Sequence, residues 1–415
     1  MNICQLEQLR NLIQTSHINF LFGSGLSCPF LKTLNSIEKL LTAAQSLDKD
    51  LRTVVEASLF GEYFNSVMAP CMCDNLIAKK QEQYSSVVNT YEHFLSIWNA
   101  IMAKRDTSLL DKTINIFTTN IDNLVEKAAE HQRLEFNDGF KGYITPTFRE
   151  DSFNNVLTKI SPLYQNLAHI PIFNYIKIHG SINWKKADDE VSITYDRDLD
   201  LIRKIKETYD LIPNGQLVSV ASNDDIDQLV NRVKNMMCND GYEMSPSINT
   251  FMDAYWKLIM IHPRKTKFKE SVIDSHFYEL MRRYSNTLEQ SNTLLFVSGF
   301  SFADEHLAKI TVRAANTNPT LQIVVFAFNE ESKHTTLANI ALGGTMLNDN
   351  IIVISPEDYY KGQKEDEREF IRECPVWNTK VIEEKNGEQK EKIIHVFSLE
   401  VINEVIFKRI LGIIN

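Results

Sequence analysis

Six short apolar runs along the chain are each followed by a polar or glycine-containing segment. They occupy residues 18–22, 115–118, 175–178, 294–297, 323–328 and 351–354, and helical stretches separate them. Short apolar runs in this arrangement are typical of buried strands in a parallel sheet. The pattern therefore predicts an α/β fold with a Rossmann-like, mostly parallel sheet flanked by helices.

Two longer stretches, residues 36–111 and 188–291, show helical periodicity but no run that resembles a core strand. We predict that both are helical insertions, which form a second subdomain within a domain spanning residues 1–355. In the second insertion, residues 199–209 and 226–237 are predicted to be surface helices, because an Ile-Pro-Asn-Gly breaker separates two periodic segments.

Residues 356–415 are predicted to form a small C-terminal hairpin and helix. Two apolar segments, 380–382 and 393–396, flank an Asn-Gly pair at 386–387, which favours a β-hairpin. The last segment, 399–413, is apolar over much of its circumference when it is drawn as a helix. Such a helix must be covered, so it either packs on its own domain or serves as an assembly element.

The composition narrows the possible classes of protein. With 415 residues, of which 43% are hydrophobic, the chain is long enough for a large buried core. Its formal net charge of −10 argues against a surface that binds nucleic acid throughout, so no direct nucleic-acid partner is predicted. The chain has no apolar run of about 18 residues and does not begin like a signal peptide, which predicts a cytoplasmic protein with no membrane partner.

Ligands of an open parallel sheet bind beyond the carboxyl ends of its strands, so the polar corners there are candidate sites. The first corner, Gly23-Ser24-Gly25-Leu26-Ser27, follows the first predicted strand. Its two glycines let the backbone approach a pyrophosphate and point amide N–H groups at it. A tight turn without a ligand is the alternative, and the third glycine of the dehydrogenase fingerprint is missing.

The second and third corners carry polar side chains suited to catalysis. Asn120 lies between a predicted strand and a helix that is expected to begin near Asp122, so it should face the ligand side. Alternatively, Asn120, Asp122 or Asn123 only caps that helix. His179 lies at the end of another predicted strand, beside Gly180. Its imidazole could exchange a proton near neutral pH, or it could simply be packed or solvated.

For the residues of the later corners, a purely structural explanation is available as well as a functional one. Gly299 and Ser301 follow the fourth predicted strand and Asn329 follows the fifth, where a turn and a helix cap would account for them. Asp304, Glu305 and His306 could suggest a metal site, but an acidic first helical turn is favourable without an ion, so no metal is predicted there. A basic cluster is either a solvated loop or a phosphate or partner contact; it consists of Arg264, Lys265, Lys267 and Lys269.

Taken in order along the chain, these corners resemble the sirtuin family. Sirtuins carry G-A-G-I-S, T-x-N-x-D-x-L, K-x-H-G and G-T-S segments, and the matching residues here are 23–27, 118–124, 177–180 and 299–301. Asn329 is similar to the asparagine that follows a late strand in that family. Because sirtuins consume NAD⁺, the resemblance implies an NAD⁺ site at these corners.

The chain also departs from the sirtuin pattern. It lacks the two C-x-x-C pairs of the structural zinc site, because its six cysteines are scattered and the closest pair, Cys71 and Cys73, is spaced C-x-C. Its segment 259–268 differs from the one that holds an acylated peptide in sirtuin deacylases. That segment and the Gly-Phe-Ser-Phe-Ala-Asp-Glu-His string at 299–306 instead resemble the zinc-free bacterial sirtuin-like proteins of anti-phage defence, which hydrolyse NAD⁺ to ADP-ribose and nicotinamide. The resemblance thus implies an NADase with NAD⁺ as substrate and no metal.

The resemblance further implies a role for each matched residue. Asn120 would orient the ribose hydroxyls and the attacking water, and His179 would accept a proton. Asp122 would hold the nicotinamide carboxamide. The other substrate-binding residues would be Gly23, Ser24, Gly25 and Ser27 at the pyrophosphate, and Gly299, Ser301 and Asn329 at the adenosine.

Activity of this kind must be gated in the cell that carries it. Only residues 356–415 follow the last predicted strand of the sheet, too few for a large nucleotide-sensing domain. In this respect the chain resembles the sirtuin-like subunit that is paired with a HerA-type ring ATPase in a homo-oligomeric assembly. Two alternatives stay open: a non-hydrolytic NAD-binding module that regulates a partner, and a zinc-independent, NAD-dependent protein deacylase.

Overall fold

The computed structural model of the protein describes residues 5–33, 37–74, 76–105, 110–163, 165–187, 191–221, 224–239, 242–263, 275–385 and 388–413. Within these ranges the strands are β1 His17–Phe22, β2 Thr113–Thr118, β3 Phe136–Asn137, β4 Phe140–Lys141, β5 Thr147–Phe148, β6 Thr158–Ile160, β7 Leu167–His169, β8 Ile172–Lys177, β9 Trp184–Lys186, β10 Ile193–Tyr195, β11 Thr293–Ser298, β12 Gln322–Phe326, β13 Ile351–Ile354, β14 Thr379–Lys385 and β15 Glu388–Ile394. The helices are α1 Leu6–Thr15, α2 Ile37–Ala44, α3 Lys49–Tyr63, α4 Ala78–Lys104, α5 Leu124–Gln132, α6 Asp200–Asp210, α7 Ile226–Met237, α8 Pro246–Tyr255, α9 Ser275–Glu289, α10 Glu305–Thr317, α11 Glu330–Gly343, α12 Pro356–Gly362, α13 Glu365–Glu373, α14 Leu399–Ile402 and α15 Lys408–Ile413.

The centre of the molecule is a seven-stranded parallel sheet in the order β13-β12-β11-β1-β2-β8-β3. The six apolar runs form six of these strands, which confirms the predicted α/β, Rossmann-like fold. In the sheet, β2 lies on one side of β1, and β12 lies on the opposite side of β11. Successive strands are therefore added in one direction from β1 and in the other direction from β11. The strand order therefore reverses between β1 and β11, where open α/β sheets have their ligand crevice.

Both faces of the sheet are covered by helices, and alternate side chains of β1 show how. Phe20 and Phe22 lie in one apolar cluster with α4, whereas Leu21 lies in a second cluster with side chains of α9 and α10. Successive side chains of a strand point to opposite faces, so a continuous apolar run such as 18–22 indicates a strand buried on both sides. This burial explains why the apolar runs of the sequence mark the central strands.

The predicted surface helices at 199–209 and 226–237 correspond closely to α6 and α7. Both are amphipathic: Ile202 and Ile205 of α6 are buried, and its charged residues face outwards. Two small antiparallel sheets, β4-β5-β10-β9 and β6-β7, were not predicted because their strands are only two or three residues long. The basic cluster at 264–269 lies outside the described residues.

The predicted C-terminal hairpin is formed by β14 and β15, with Lys385 opposite Glu388; its turn lies outside the described residues. The following helix consists of α14, a π-helical segment Asn403–Phe407 and α15. Phe407 packs in the main core, with its ring centroid 5.0 Å from Trp98 and 5.6 Å from Phe296. The chain therefore covers this helix itself, which fits the packing alternative.

No helix within the described ranges is both long enough and apolar enough to cross a lipid bilayer.

Candidate active site

The four predicted corners lie side by side at the carboxyl edge of the sheet. They follow β11, β1, β2 and β8, which are consecutive neighbours in the strand order. The register aligns their starting points, because Phe22 is paired with Ser298 on one side and Thr118 on the other, and Thr118 is paired with Lys177. Asn120 and His179 are each two residues beyond this last pair, so they leave the sheet at the same level.

The glycine loops after β1 and β11 contact each other through their backbones. The N–H of Gly23 donates to the carbonyl of Ser298 at 3.1 Å, and that of Gly25 donates to Gly299 at 3.0 Å. A Cβ atom on Gly23 would lie 2.3 Å from the Gly299 oxygen. The first glycine is therefore required for close packing of the two loops.

This packing corrects the phosphate loop expected from the sequence. The amides of Gly23 and Gly25 are already bonded within the protein. Residues Ser24–Ser27 form one 3-10 turn, and the described residues after it, 28–33, are not helical. Neither those two amides nor a helix dipole is thus available to a pyrophosphate in the way that was expected. Ser24 is exposed at this edge, and a phosphate contact through it stays a prediction.

Asn120, Ser27 and Asp122 form a buried polar group behind the glycine loop, exposed by 5%, 2% and 3%. The Asn120 amide nitrogen donates to the Ser27 hydroxyl at 3.3 Å, and that hydroxyl donates to Oδ2 of Asp122 at 2.7 Å. Oδ1 of Asp122 accepts from the N–H of Leu124 at 3.1 Å. Asp122 therefore accepts a hydrogen bond at the start of α5 and also fixes the position of the Ser27 hydroxyl. The helix α5 begins two residues later than predicted.

The side-chain oxygen of Asn120 is buried and has no hydrogen-bond partner among the described residues. Burying an acceptor without a partner costs about 1–3 kcal/mol, so such a group suggests a donor that arrives with a ligand. A ribose hydroxyl and a carboxamide NH₂ are both donors of this kind. A ligand contact of Asn120, which the sequence predicts, stays a prediction.

A tyrosine from the first insertion completes this group. The hydroxyl of Tyr91, on α4, lies beside Ser27 and Asn120 without a well-aligned hydrogen bond. Burial raises the pKa of Tyr91, and the nearby Asp122 carboxylate raises it further. The phenol therefore stays neutral and keeps its proton. Sequence reasoning missed Tyr91 because nothing in a helical periodicity shows which buried aromatic residue reaches the end of a strand.

Lys177, the first residue of the K-x-H-G segment, is buried beneath the site. Its ammonium lies 2.5 Å from Oε1 of Glu126 and donates to the Asp122 carbonyl at 2.5 Å and the Ser181 hydroxyl at 2.6 Å. Burial raises the pKa of Glu126, and Lys177 opposes that rise. Lys177 thus joins the corners after β2 and β8 and holds the backbone that carries Asp122.

His179 extends from the end of β8 towards the corner after β11. Its Nε2 lies 3.3 Å from Oδ2 of Asp304, and both side chains are nine-tenths buried. Oδ1 of Asp304 accepts from the N–H groups of His306 and Leu307 at the start of α10. The helix-start explanation of Asp304 is therefore correct, but the same carboxylate also contacts the imidazole, which local sequence could not show.

Gly180 lets the chain turn directly after His179. Its φ is +76°, and a Cβ there would lie 2.3 Å from the carbonyl oxygen of Ile259. The neighbouring carbonyl of His179 accepts from the N–H of Ile261 at 2.9 Å. The segment that differs from the peptide-holding segment of sirtuins thus begins beside the candidate catalytic histidine.

The residues predicted at the adenosine lie further along the same edge. Gly299 and Ser301 are exposed in the corner after β11. Asn329, after β12, accepts from the N–H of Ser332 at 2.8 Å, while the hydroxyl of Ser332 accepts from the Asn329 N–H at 2.9 Å. This reciprocal pair is a capping box, so Asn329 matches its cap alternative and its adenosine contact stays a prediction.

Replacing Asn329 with alanine should lower the free energy of unfolding by about 0.5–2 kcal/mol, because the N–H of Ser332 loses its acceptor. Urea denaturation measures this loss. Asn329→Asp is the matched control, since aspartate keeps the acceptor and should retain wild-type stability. Equal stability of the alanine variant and the wild type would show that the cap contributes nothing.

Alanine variants of Gly299 and Gly215 distinguish the cost of backbone strain from the cost of crowding. Both have positive φ, +65° and +83°, but a Cβ on Gly299 would lie 2.7 Å from the nitrogen of Leu26, whereas one on Gly215 meets nothing within 4 Å. Alanine should cost about 1–2 kcal/mol from strain at either position, and Gly299→Ala should cost about 1 kcal/mol more from crowding. Thermal unfolding of the two variants tests this order, and a larger loss in Gly215→Ala would refute the loop-packing argument.

No protein-family model matches this chain, and no curated protein matches it either. Within the ranges that the structure describes, no three His, Cys, Asp or Glu residues are grouped so that they could hold a metal ion.

Proposed function

We propose that this chain hydrolyses NAD⁺ at the nicotinamide–ribose bond, with Asn120 and His179 as its catalytic residues. The observation that carries the proposal is the buried, unpartnered oxygen of Asn120, at the same edge and level as His179. A ribose hydroxyl would supply the missing donor. The reversal of strand order beside this edge supports a ligand position over it.

The pairing of His179 with Asp304 suggests which nitrogen acts as the base. Nε2 of His179 lies 3.3 Å from Oδ2 of Asp304, but the two atoms do not form an aligned hydrogen bond. A rotation of the ring that directs the Nε2 proton at this carboxylate would leave the lone pair on Nδ1, which could then accept a proton. In the reaction the C–N bond to nicotinamide breaks and its electron pair leaves with the nicotinamide. The water oxygen bonds to the ribose carbon, and its proton passes to His179 and then to solvent. Asp304 would stabilise the imidazolium formed in between.

The rest of the site would position the substrate and exclude water. Asp122 is held by Ser27 and by the start of α5, so its carboxylate has a defined position. In a dry, prearranged site such dipoles stabilise developing charge more effectively than in water. The ribose passes through a cationic, oxocarbenium-like state, and Asp122 would serve there or at the nicotinamide carboxamide, as the resemblance implies.

We further propose that the activity serves bacterial anti-phage defence in the cytoplasm, by NAD⁺ depletion within an activated complex. The support is the resemblance to sirtuin-like subunits paired with a HerA-type ring ATPase. Because the C-terminal helix is buried in its own domain, homo-oligomer or ATPase contacts would use other surfaces. Four large apolar side chains from the end of β4 to the first residue of β7 are more than two-thirds exposed and would suit such contacts: Tyr143, Ile144, Leu163 and Leu167.

The test is to follow nicotinamide release from NAD⁺ by the purified chain, alone and together with a ring ATPase encoded beside it. Release of nicotinamide and ADP-ribose in equal amounts, without any peptide, would support the proposal. Tight NAD⁺ binding without release in both samples would overturn it in favour of a binding module. Release only after addition of an acylated peptide would overturn it in favour of a deacylase.

A further inference from the structure

A cysteine and a lysine outside the candidate active site are in direct contact. Nζ of Lys127 lies 3.1 Å from Sγ of Cys73 and 3.1 Å from the carbonyl oxygen of Cys71. The same ammonium stands 5.1 Å from the centre of the Tyr84 ring. Cys73 has a left-handed backbone, with φ +60°, directly after a short 3-10 segment. The three elements that meet here are this segment, α4 and α5.

The charges at this contact favour a reactive sulfur. Burial lowers the pKa of Lys127, but Cys73 and Tyr84 raise it by more, so the net shift is upwards. A cation in contact with a cysteine sulfur favours the thiolate, which is the nucleophilic form of cysteine, and here the two atoms are 3.1 Å apart. Cys73 is also partly exposed, so a small solute can reach it.

We propose that Cys73 is a peroxide-sensitive modification site and that its oxidised sulfur is captured by Lys127 in a covalent sulfur–nitrogen link. Hydrogen peroxide is the oxidant. The proposal is independent of the NADase function, because its product is detected by mass alone.

The first step forms a sulfenic acid. The thiolate of Cys73 attacks one oxygen of hydrogen peroxide, the O–O bond breaks, and hydroxide leaves. The sulfur is oxidised by two electrons and the peroxide is reduced by two. The product carries no charge, so it no longer raises the pKa of Lys127. Burial, which lowers that pKa, then favours the neutral amine.

The second step joins the two side chains without a further oxidant. The Lys127 amine attacks the sulfur of Cys73, the S–O bond breaks, and the departing hydroxide takes a proton from the nitrogen and leaves as water. Overall, one peroxide yields two waters and a link that is two hydrogen atoms lighter than the separate side chains.

Cys71 is the competing partner, but it is less well placed. Its thiol is buried and donates to the carbonyl of Val67 at 3.3 Å. Cys73 contacts the carbonyl oxygen of Cys71, at 3.5 Å. Of these two candidate partners, the lysine nitrogen is therefore the one in direct contact with the Cys73 sulfur. A disulfide between the two cysteines is the outcome that would show this ranking to be wrong.

The experiment treats the full chain with hydrogen peroxide, blocks remaining thiols by alkylation, and identifies tryptic peptides by mass spectrometry. Cys238, exposed at the end of α7, is an internal reference in every sample. We expect Cys73 to be consumed about tenfold faster than Cys238. The peptides carrying Cys73 and Lys127 should appear joined, lighter by two hydrogen atoms, and should separate again with dithiothreitol.

Two variants of the lysine separate activation from capture. Lys127→Arg keeps a cation beside the sulfur but has no amine for the link. Cys73 should therefore still react with peroxide at the wild-type rate, but no joined peptide should form. Lys127→Met removes both the cation and the amine, so Cys73 should react with peroxide only as fast as Cys238. The proposal is overturned if wild-type Cys73 reacts no faster than Cys238, or if its product is a disulfide with Cys71.

Discussion

Replacing His179 with alanine is expected to lower the rate of nicotinamide release about 10²–10⁴-fold, which is the usual contribution of a general base. The expectation rests on the proposed NAD⁺ hydrolysis and on the position of the imidazole beside Asp304, level with Asn120 at the strand ends. Initial rates at saturating NAD⁺, measured by chromatography of released nicotinamide, provide the test. Because the His179 side chain is nine-tenths buried beside Asp304, the variant should unfold at a somewhat lower temperature than the wild type but stay folded under the assay conditions.

Asp304→Asn is the matched control for this result. Asparagine can still accept from the N–H groups at the start of α10, so the helix cap is kept while the negative charge beside His179 is removed. We expect a loss of rate smaller than that of His179→Ala and a changed pH profile. Normal turnover in His179→Ala would contradict the mechanism, and a loss in Asp304→Asn with an unchanged pH profile would mean that Asp304 acts only on structure.

The central sheet could be predicted from the sequence because its strands are buried on both faces. A strand such as β11 needs an unbroken apolar run, and Leu294–Val297 is one. Strands of two residues, such as β3, carry no periodicity of their own. They are strands only because a long neighbour, here β8, offers them hydrogen bonds. Such elements follow from tertiary structure and have no local signal.

In the candidate site, too, some features could be predicted from local sequence and others depend on tertiary structure. Asn120 and His179 could be placed because each directly follows a strand, and strands of a parallel sheet end at one edge. The contacts of Tyr91 and Asp304 could not be predicted, because each depends on where a separate helix lies over that edge. The glycines show the opposite limit: Gly23 and Gly25 have the pattern of a phosphate loop, but their amides bond to the loop after β11.

The C-terminal helix illustrates a third case. Its apolar circumference indicates that the helix must be covered, but the sequence is compatible with two coverings: the helix's own domain or another chain in an assembly. The structure places Phe407 among aromatic residues of β1, β11 and α4, at 6.2 Å from Phe20 and 5.0 Å from Trp98. Hydrophobicity is not directional, so the amount of apolar surface could be predicted while its partner could not.

Replacing Lys177 with methionine is expected to lower the free energy of unfolding by about 3–5 kcal/mol, because it leaves the Glu126 carboxylate buried without its cation. Methionine has a similar length, so the change removes the charge and leaves little empty volume. Urea denaturation at neutral pH measures the loss. The Asp122 carbonyl and the Ser181 hydroxyl also lose a donor, so the corners after β2 and β8 should loosen together.

A second variant and a change of pH identify the cause of that loss. Lys177→Met combined with Glu126→Gln removes both charges and should recover part of the lost stability. In the single variant the pKa of Glu126 rises further above its unfolded value of about 4.3, so the folded state binds more protons than the unfolded state between these two values. Stability must then increase as the pH falls through that window. A single variant whose loss is the same at every pH would show that crowding or lost packing, and not the buried carboxylate, causes it.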